Sequence, residues 1–174
     1  TELFARTGLT PDKHVIAYDD EGGGWAGRLI WTLDVLGHKN YSYLNGGLHA
    51  WVNEGFPVET TPNTGTPSAF SAHIDHAPIA SLDQIREHLT DPHWKIWDAR
   101  SPDEYAGRRL VAARGGHIPG AVNLDWVELI DRARNYRLPP LELLQERLNA
   151  LGLTRDKHIV THCQTHHRSG LTYL

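Results

Sequence analysis

Methionine is missing from all 174 residues, and cysteine occurs once, at Cys163. A single cysteine excludes an intrachain disulfide, so the reducing cytoplasm is the expected location. Long apolar runs are missing too. None approaches the roughly 18 residues that span a bilayer, and no membrane partner is expected. Nor is positive charge in excess: a formal net charge of −4 and a sequence pI near 6.3 leave no basic footprint for nucleic acid. What is present suits a globular protein, since 40% of the residues are hydrophobic, enough at this length to bury one good core or parts of two. Without an initiating methionine, Thr1-Glu2-Leu3-Phe4 reads as the last turns of a helix, and Leu174 stops just inside another. The chain is therefore expected to be a fragment, with a signal peptide ahead of Thr1 left open.

The lone cysteine closes an apolar run, His158-Ile159-Val160-Thr161-His162, and opens the polar run Gln164-Thr165-His166-His167-Arg168-Ser169-Gly170. A β-branched stretch bounded by polar residues predicts a buried strand, and Ser169-Gly170-Leu171 predicts the start of a helix. Cys163 then sits at a strand-to-helix turn, where inward-pointing backbone N–H groups favour an anion, either a substrate or the thiolate itself. Arg168 pushes the same way, so the thiol is expected to ionise below its free value. Lone cysteines are more often buried and inert, yet a Gln-Thr-His-His-Arg run is a poor neighbour for an apolar cysteine. A metal site at His162, Cys163, His166 and His167 is not expected, because adjacent strand residues point to opposite faces.

A repeat sets the organisation. Gly8 to Asp19 recurs as Gly152 to Cys163 at a constant offset of 144 residues, with six of twelve pairs identical and two more exchanging Val and Ile. Asp19 stands in the first copy where Cys163 stands in the second. Its loop, Asp19-Asp20-Glu21-Gly22-Gly23-Gly24, is too acidic to cradle an anion, and its glycines predict slack. By that offset the second copy lacks roughly 30 residues at its C-terminal end and the first roughly 70 before Thr1. Around these landmarks the pattern predicts strands at Lys13–Tyr18, Asn40–Leu44, Phe70–Ile74, Trp94–Asp98 and into Val122. Helices are predicted at Trp25–Leu36 and Leu48–Asn53, from capping boxes at Ser81 and Ser101, and over Leu141–Leu151 with Leu141, Leu144, Leu148 and Leu151 on one face. Phe56–Phe70 has linker composition. Alternating strands and helices predict an α/β fold with mostly parallel sheets and ligand sites at the carboxyl ends of strands, where Asp98 and Cys163 fall. Asp98 and Arg100 read equally well as a scaffold pair and as substrate contacts.

Four blocks carry a family resemblance: Leu44-Asn45-Gly46-Gly47-Leu48-His49-Ala50-Trp51 with Glu54-Gly55-Phe56-Pro57-Val58; Trp97-Asp98-Ala99-Arg100-Ser101 with Glu104-Tyr105-Ala106-Gly107; Gly116-His117-Ile118-Pro119-Gly120-Ala121-Val122-Asn123; and the Cys163 loop. Together they resemble a tandem-domain rhodanese, a thiosulfate sulfurtransferase, and the Cys-Gln-Thr-His-His-Arg loop is similar to that of the bacterial type. The resemblance implies two rhodanese-like domains, both incomplete: an inactive one in residues 1–58, a linker in 59–69, and a catalytic one in 70–174. It further implies Cys163 as the catalytic nucleophile, carried as a persulfide. Gln164, Thr165, His166, His167, Arg168, Ser169 and Arg100 would line the substrate, with Asp98 as support. Thiosulfate would be the donor, cyanide, a thiol or a sulfur-accepting protein the acceptor, and neither cofactor nor metal would be needed. Two alternatives stay open: a non-catalytic sulfur-carrier or regulatory module, and a cysteine-dependent phosphatase, which needs one more residue between Cys and Arg than the four here.

Overall fold

Short β-branched and aromatic runs alternate with helix-forming stretches, and in the computed structural model, which describes residues 1–174, most of them become elements. In chain order these are α1 (Glu2–Arg6), β1 (Val15–Ala17), α2 (Gly24–Val35), β2 (Tyr41–Tyr43), α3 (Gly47–Asn53), α4 (Leu82–Glu87), β3 (Trp94–Asp98), α5 (Pro102–Tyr105), β4 (Val122–Asn123), α6 (Leu141–Ala150), β5 (His158–His162) and α7 (Arg168–Leu171). All three strand pairings are parallel. β1 pairs with β2, and β3 lies between β4 and β5 in a separate sheet. Both capping boxes form: the Ser81 and Ser101 hydroxyls accept from the Gln84 and Glu104 amides, and those side chains reach back. No helix is long and apolar enough to cross a membrane.

The larger core gathers Trp97, Leu124, Leu129, Leu153 and Leu171, with Leu144, Leu148 and Leu151 packed against it. The indole N–H of Trp97 donates to the Leu124 carbonyl at 2.9 Å, so the largest ring in the core carries no unpaired polar atom. Two expectations need correction. Leu141 is 65% exposed, so the partly buried stripe of α6 begins at Leu144. No strand forms over Phe70–Ile74. The N–H groups of His73 and Asp75 instead donate to the carbonyls of Leu36 and Val35. Those carbonyls sit at the C-terminal end of α2 with no intrahelical donor left, and they take the N–H groups a sheet ladder would have used.

The 144-residue offset reappears in three dimensions. α2 begins at Gly24 and α7 at Arg168, and β1 corresponds to the middle of β5. The two matching helices cross in backbone contact. A Cβ on Gly27 would lie 2.1 Å from the Gly170 carbonyl oxygen, and one on Gly170 would lie 2.6 Å from that of Gly24. Only glycine fits such a crossing, and it brings the loop before α2 against the loop before α7.

Candidate active site

Parallel pairing with β3 carries β5 to the carboxyl edge of its sheet, and the chain leaves that edge at Cys163. The thiol is buried, 6% exposed, with Sγ 3.3 Å from Ser169 Oγ. Burial alone would raise its pKa. Hydrogen bonds from the Ser169 hydroxyl and amide and from the Thr165 amide, with the charge of Arg168, outweigh burial and bring the thiol below its ordinary value. The loop turns through a left-handed residue, His166, at φ 60°. Gln164 and Thr165 are exposed, and Gln164 Nε2 donates to the Val111 carbonyl at 2.9 Å, tying the loop to the segment after α5.

Arg168 does not extend freely into this space. Its two terminal nitrogens donate to the Glu104 carboxylate at 2.6 and 3.0 Å, and that carboxylate is only 4% exposed. Glu104 was legible as a helix-capping residue. Its second task, holding Arg168 beside Cys163, spans 64 residues and left no local signal. Those two hydrogen bonds, with help from Ser101, overcome burial and hold the Glu104 carboxyl at about 2. A carboxylate lowered on folding adds stability that is complete above its unfolded value of 4.5 and vanishes as the pH falls through the folded one. For Glu104 the increment is on the order of 3 kcal/mol. Wild type is expected to lose it between those limits, and Glu104→Gln never to have it. Urea unfolding at about pH 6 and about pH 3 measures both proteins. Equal losses in the two would mean that the ion pair adds nothing.

Asp98 and Arg100 engage one another. Asp98 is fully buried, and its oxygens accept the Arg100 amide at 3.0 Å, Nε at 2.9 and 3.1 Å, and Nη2 at 2.6 Å. Nη2 also donates to the Gly116 carbonyl at 2.8 Å, and His162 Nε2 lies 3.4 Å from Asp98. Burial opposes ionisation of Asp98, but these donors hold its carboxyl well below the usual carboxylate range. The pair braces the ends of β3 and β5, and its hydrogen bonds are spent internally, on each other and on the Gly116 carbonyl. His162 turns to Asp98 while Cys163 turns to Ser169. No three His, Cys, Asp or Glu side chains come together as metal ligands. A cavity of about 670 Å³ runs along β5 past His166 and Ser169, but Cys163 is not among its lining residues.

The loop at Asp19 departs from the slack its glycines predict. Asp19 Oδ1 accepts the amides of Glu21 and Gly23 at 3.0 and 2.8 Å, and Oδ2 those of Trp25 and Ala26, both at 2.9 Å. A carboxylate thus fills the amide cradle at the position matching Cys163.

Compared with known proteins, residues 1–54 and 81–174 match the family described as the rhodanese-like domain, leaving out the stretch without regular elements between α3 and α4. The chain is 52% identical to a thiosulfate sulfurtransferase of Azotobacter vinelandii and 46% identical to one of Pseudomonas aeruginosa, in both cases over 99% of its own length. It spans only 63% of the length of either relative. Among solved structures it superimposes on a 3-mercaptopyruvate sulfotransferase, SseA of Escherichia coli, with a TM-score of 0.83 and 27% identity, over 98% of this chain and 64% of that one.

Proposed function

The chain belongs to the rhodanese-like domain family, and from that premise we propose that it moves the sulfane sulfur of thiosulfate to a thiophilic acceptor through a persulfide on Cys163. The Cys163 thiolate attacks the outer sulfur of thiosulfate. A new S–S bond forms, the old one breaks, and its electron pair leaves with sulfite. The outer sulfur of the persulfide then passes to cyanide, a cellular thiol or a sulfur-accepting protein, and the thiolate returns. No proton has to move in either step, so a lowered thiol is all the activation the nucleophile needs.

One observation carries this reading: a buried thiol at a strand end, with Ser169 Oγ 3.3 Å from its sulfur, lowered by the Ser169 and Thr165 donors and by the charge of Arg168 that follows after four residues. The Thr165 and Ser169 amides offer the persulfide anion what they offer the thiolate. Gln164, Thr165 and His166 belong to the same loop and would meet the substrate from it, and Asp98 with Arg100 brace the strand end behind. A cytoplasmic location and a two-unit organisation, residues 1–58 and 70–174 joined by 59–69, belong to the same proposal. The internal repeat and the glycine crossing of α2 and α7 support the two-unit organisation.

Mass spectrometry after incubation with thiosulfate is the direct test. The peptide containing Cys163 is expected to gain one sulfur and to lose it to cyanide with release of thiocyanate. A chain that instead hydrolysed aryl phosphates and never gained sulfur would replace this proposal with the phosphatase.

A further inference from the structure

His167 is a side chain of the Cys163 loop that leaves its own unit. Its imidazole is only 17% exposed, and its buried Nε2 lies 3.2 Å from the Glu21 carboxylate, close in distance but outside hydrogen-bond geometry. Trp25 packs on it at 4.4 Å between ring centroids, and Trp126 meets it edge-on at 5.2 Å. The ring also fills the space a side chain at position 24 would need, since a Cβ on Gly24 would come within 2.5 Å of Nε2. Glu21, Gly24 and Trp25 all belong to the loop and first turn held by the Asp19 carboxylate. Trp25 itself stays 56% exposed, so burial does not account for a tryptophan there.

We propose that this first-repeat loop is a socket that positions the sulfur-carrying loop. Glu21 and Trp25 hold His167, and Asp19 holds the socket in shape. His167 is the N-cap of α7 and precedes Arg168, so fixing its ring fixes the start of the helix from which the Ser169 hydroxyl and amide reach Cys163 Sγ. The mapping of the repeat adds the physical sense of the arrangement. Where the second copy needs a free thiolate inside its amide ring, the first puts a carboxylate, with four N–H groups closed upon it. Those amides are already taken by the carboxylate and offer nothing to an external anion, and the loop they shape packs against His167. The inference rests on the reading of Cys163 as the sulfur carrier. It assigns positioning residues to a loop whose composition alone reads as inert.

Two rates on the full chain test it: sulfur loading of Cys163 from thiosulfate, and alkylation of Cys163 by iodoacetamide, which requires no sulfur transfer. Glu21 is half-exposed, so Glu21→Ala is expected to keep the unfolding midpoint of wild type. Glu21→Ala and Trp25→Ala are each expected to lower both rates about tenfold or more, the scale on which a displaced reacting group costs rate. KM for thiosulfate should change less than kcat, and Trp25→Phe, which keeps a ring against His167, should recover most of the loss. Unchanged rates in folded Glu21→Ala and Trp25→Ala proteins would overturn the socket. So would losses that track the melting temperature and are not recovered by Trp25→Phe. If wild type takes up no sulfur, the sulfurtransferase reading fails by itself, and the alkylation rates still decide the socket.

Discussion

Cys163→Ser is expected to reduce sulfur transfer from thiosulfate to cyanide to the uncatalysed background. A serine hydroxyl is not ionised near neutrality and forms no persulfide, so the covalent route closes completely rather than slowing. Stability should hardly move. Oxygen replaces sulfur in a buried position that already has a hydrogen-bonding neighbour, Ser169 Oγ at 3.3 Å, and such an exchange costs about 1 kcal/mol or less. Thiocyanate formation and a thermal melt followed by circular dichroism give the two readings. A folded Cys163→Ser protein that still turned over near the wild-type rate would remove Cys163 from the chemistry.

Arg168→Ala is expected to damage stability and activity together, and for separable reasons. It leaves the Glu104 carboxylate 4% exposed with its principal partner gone, a situation that costs about 3–5 kcal/mol when one member of a buried pair is removed. It also takes away a cation that helps hold the Cys163 thiol low. In the double variant Arg168→Ala with Glu104→Gln the orphaned charge is gone, so most of the lost stability should return. The thiol should not recover. Its alkylation rate would rise with pH around a higher midpoint than in wild type. Urea unfolding and the pH profile of iodoacetamide labelling separate the two effects. A single variant that loses less than about 1 kcal/mol would show that Glu104 finds other donors, Ser101 first among them.

The elements that were legible in the sequence are those whose signals lie within a few residues. Ser81 with Gln84 and Ser101 with Glu104 are three apart, and both boxes formed. The β-branched run before Cys163 became β5, and the polar run after it became the turn into α7. Phe70–Ile74 had a strand's composition and no strand's partner. What captured its N–H groups was the end of a helix more than thirty residues earlier, which periodicity cannot reveal.

Residue type and spacing alone determined the strand-to-helix turn with its single thiol, the four-residue gap to Arg168, and the repeat that matches Asp19 to Cys163, because backbone preference and hydrogen bonding along the chain act locally. The tertiary structure alone decided where charge and side chains point. It turned Arg168 onto Glu104, spent Arg100 on Asp98, closed four amides on Asp19 and lodged His167 against Glu21 and Trp25. Two of those contacts, Arg168 with Glu104 and His167 with Glu21 and Trp25, join residues far apart in the chain, brought together by the parallel sheets and the glycine crossing of α2 and α7; the other two are short in sequence but set by how the strand ends and turns point their side chains. The strength of such a contact depends on burial, which no stretch of sequence carries by itself.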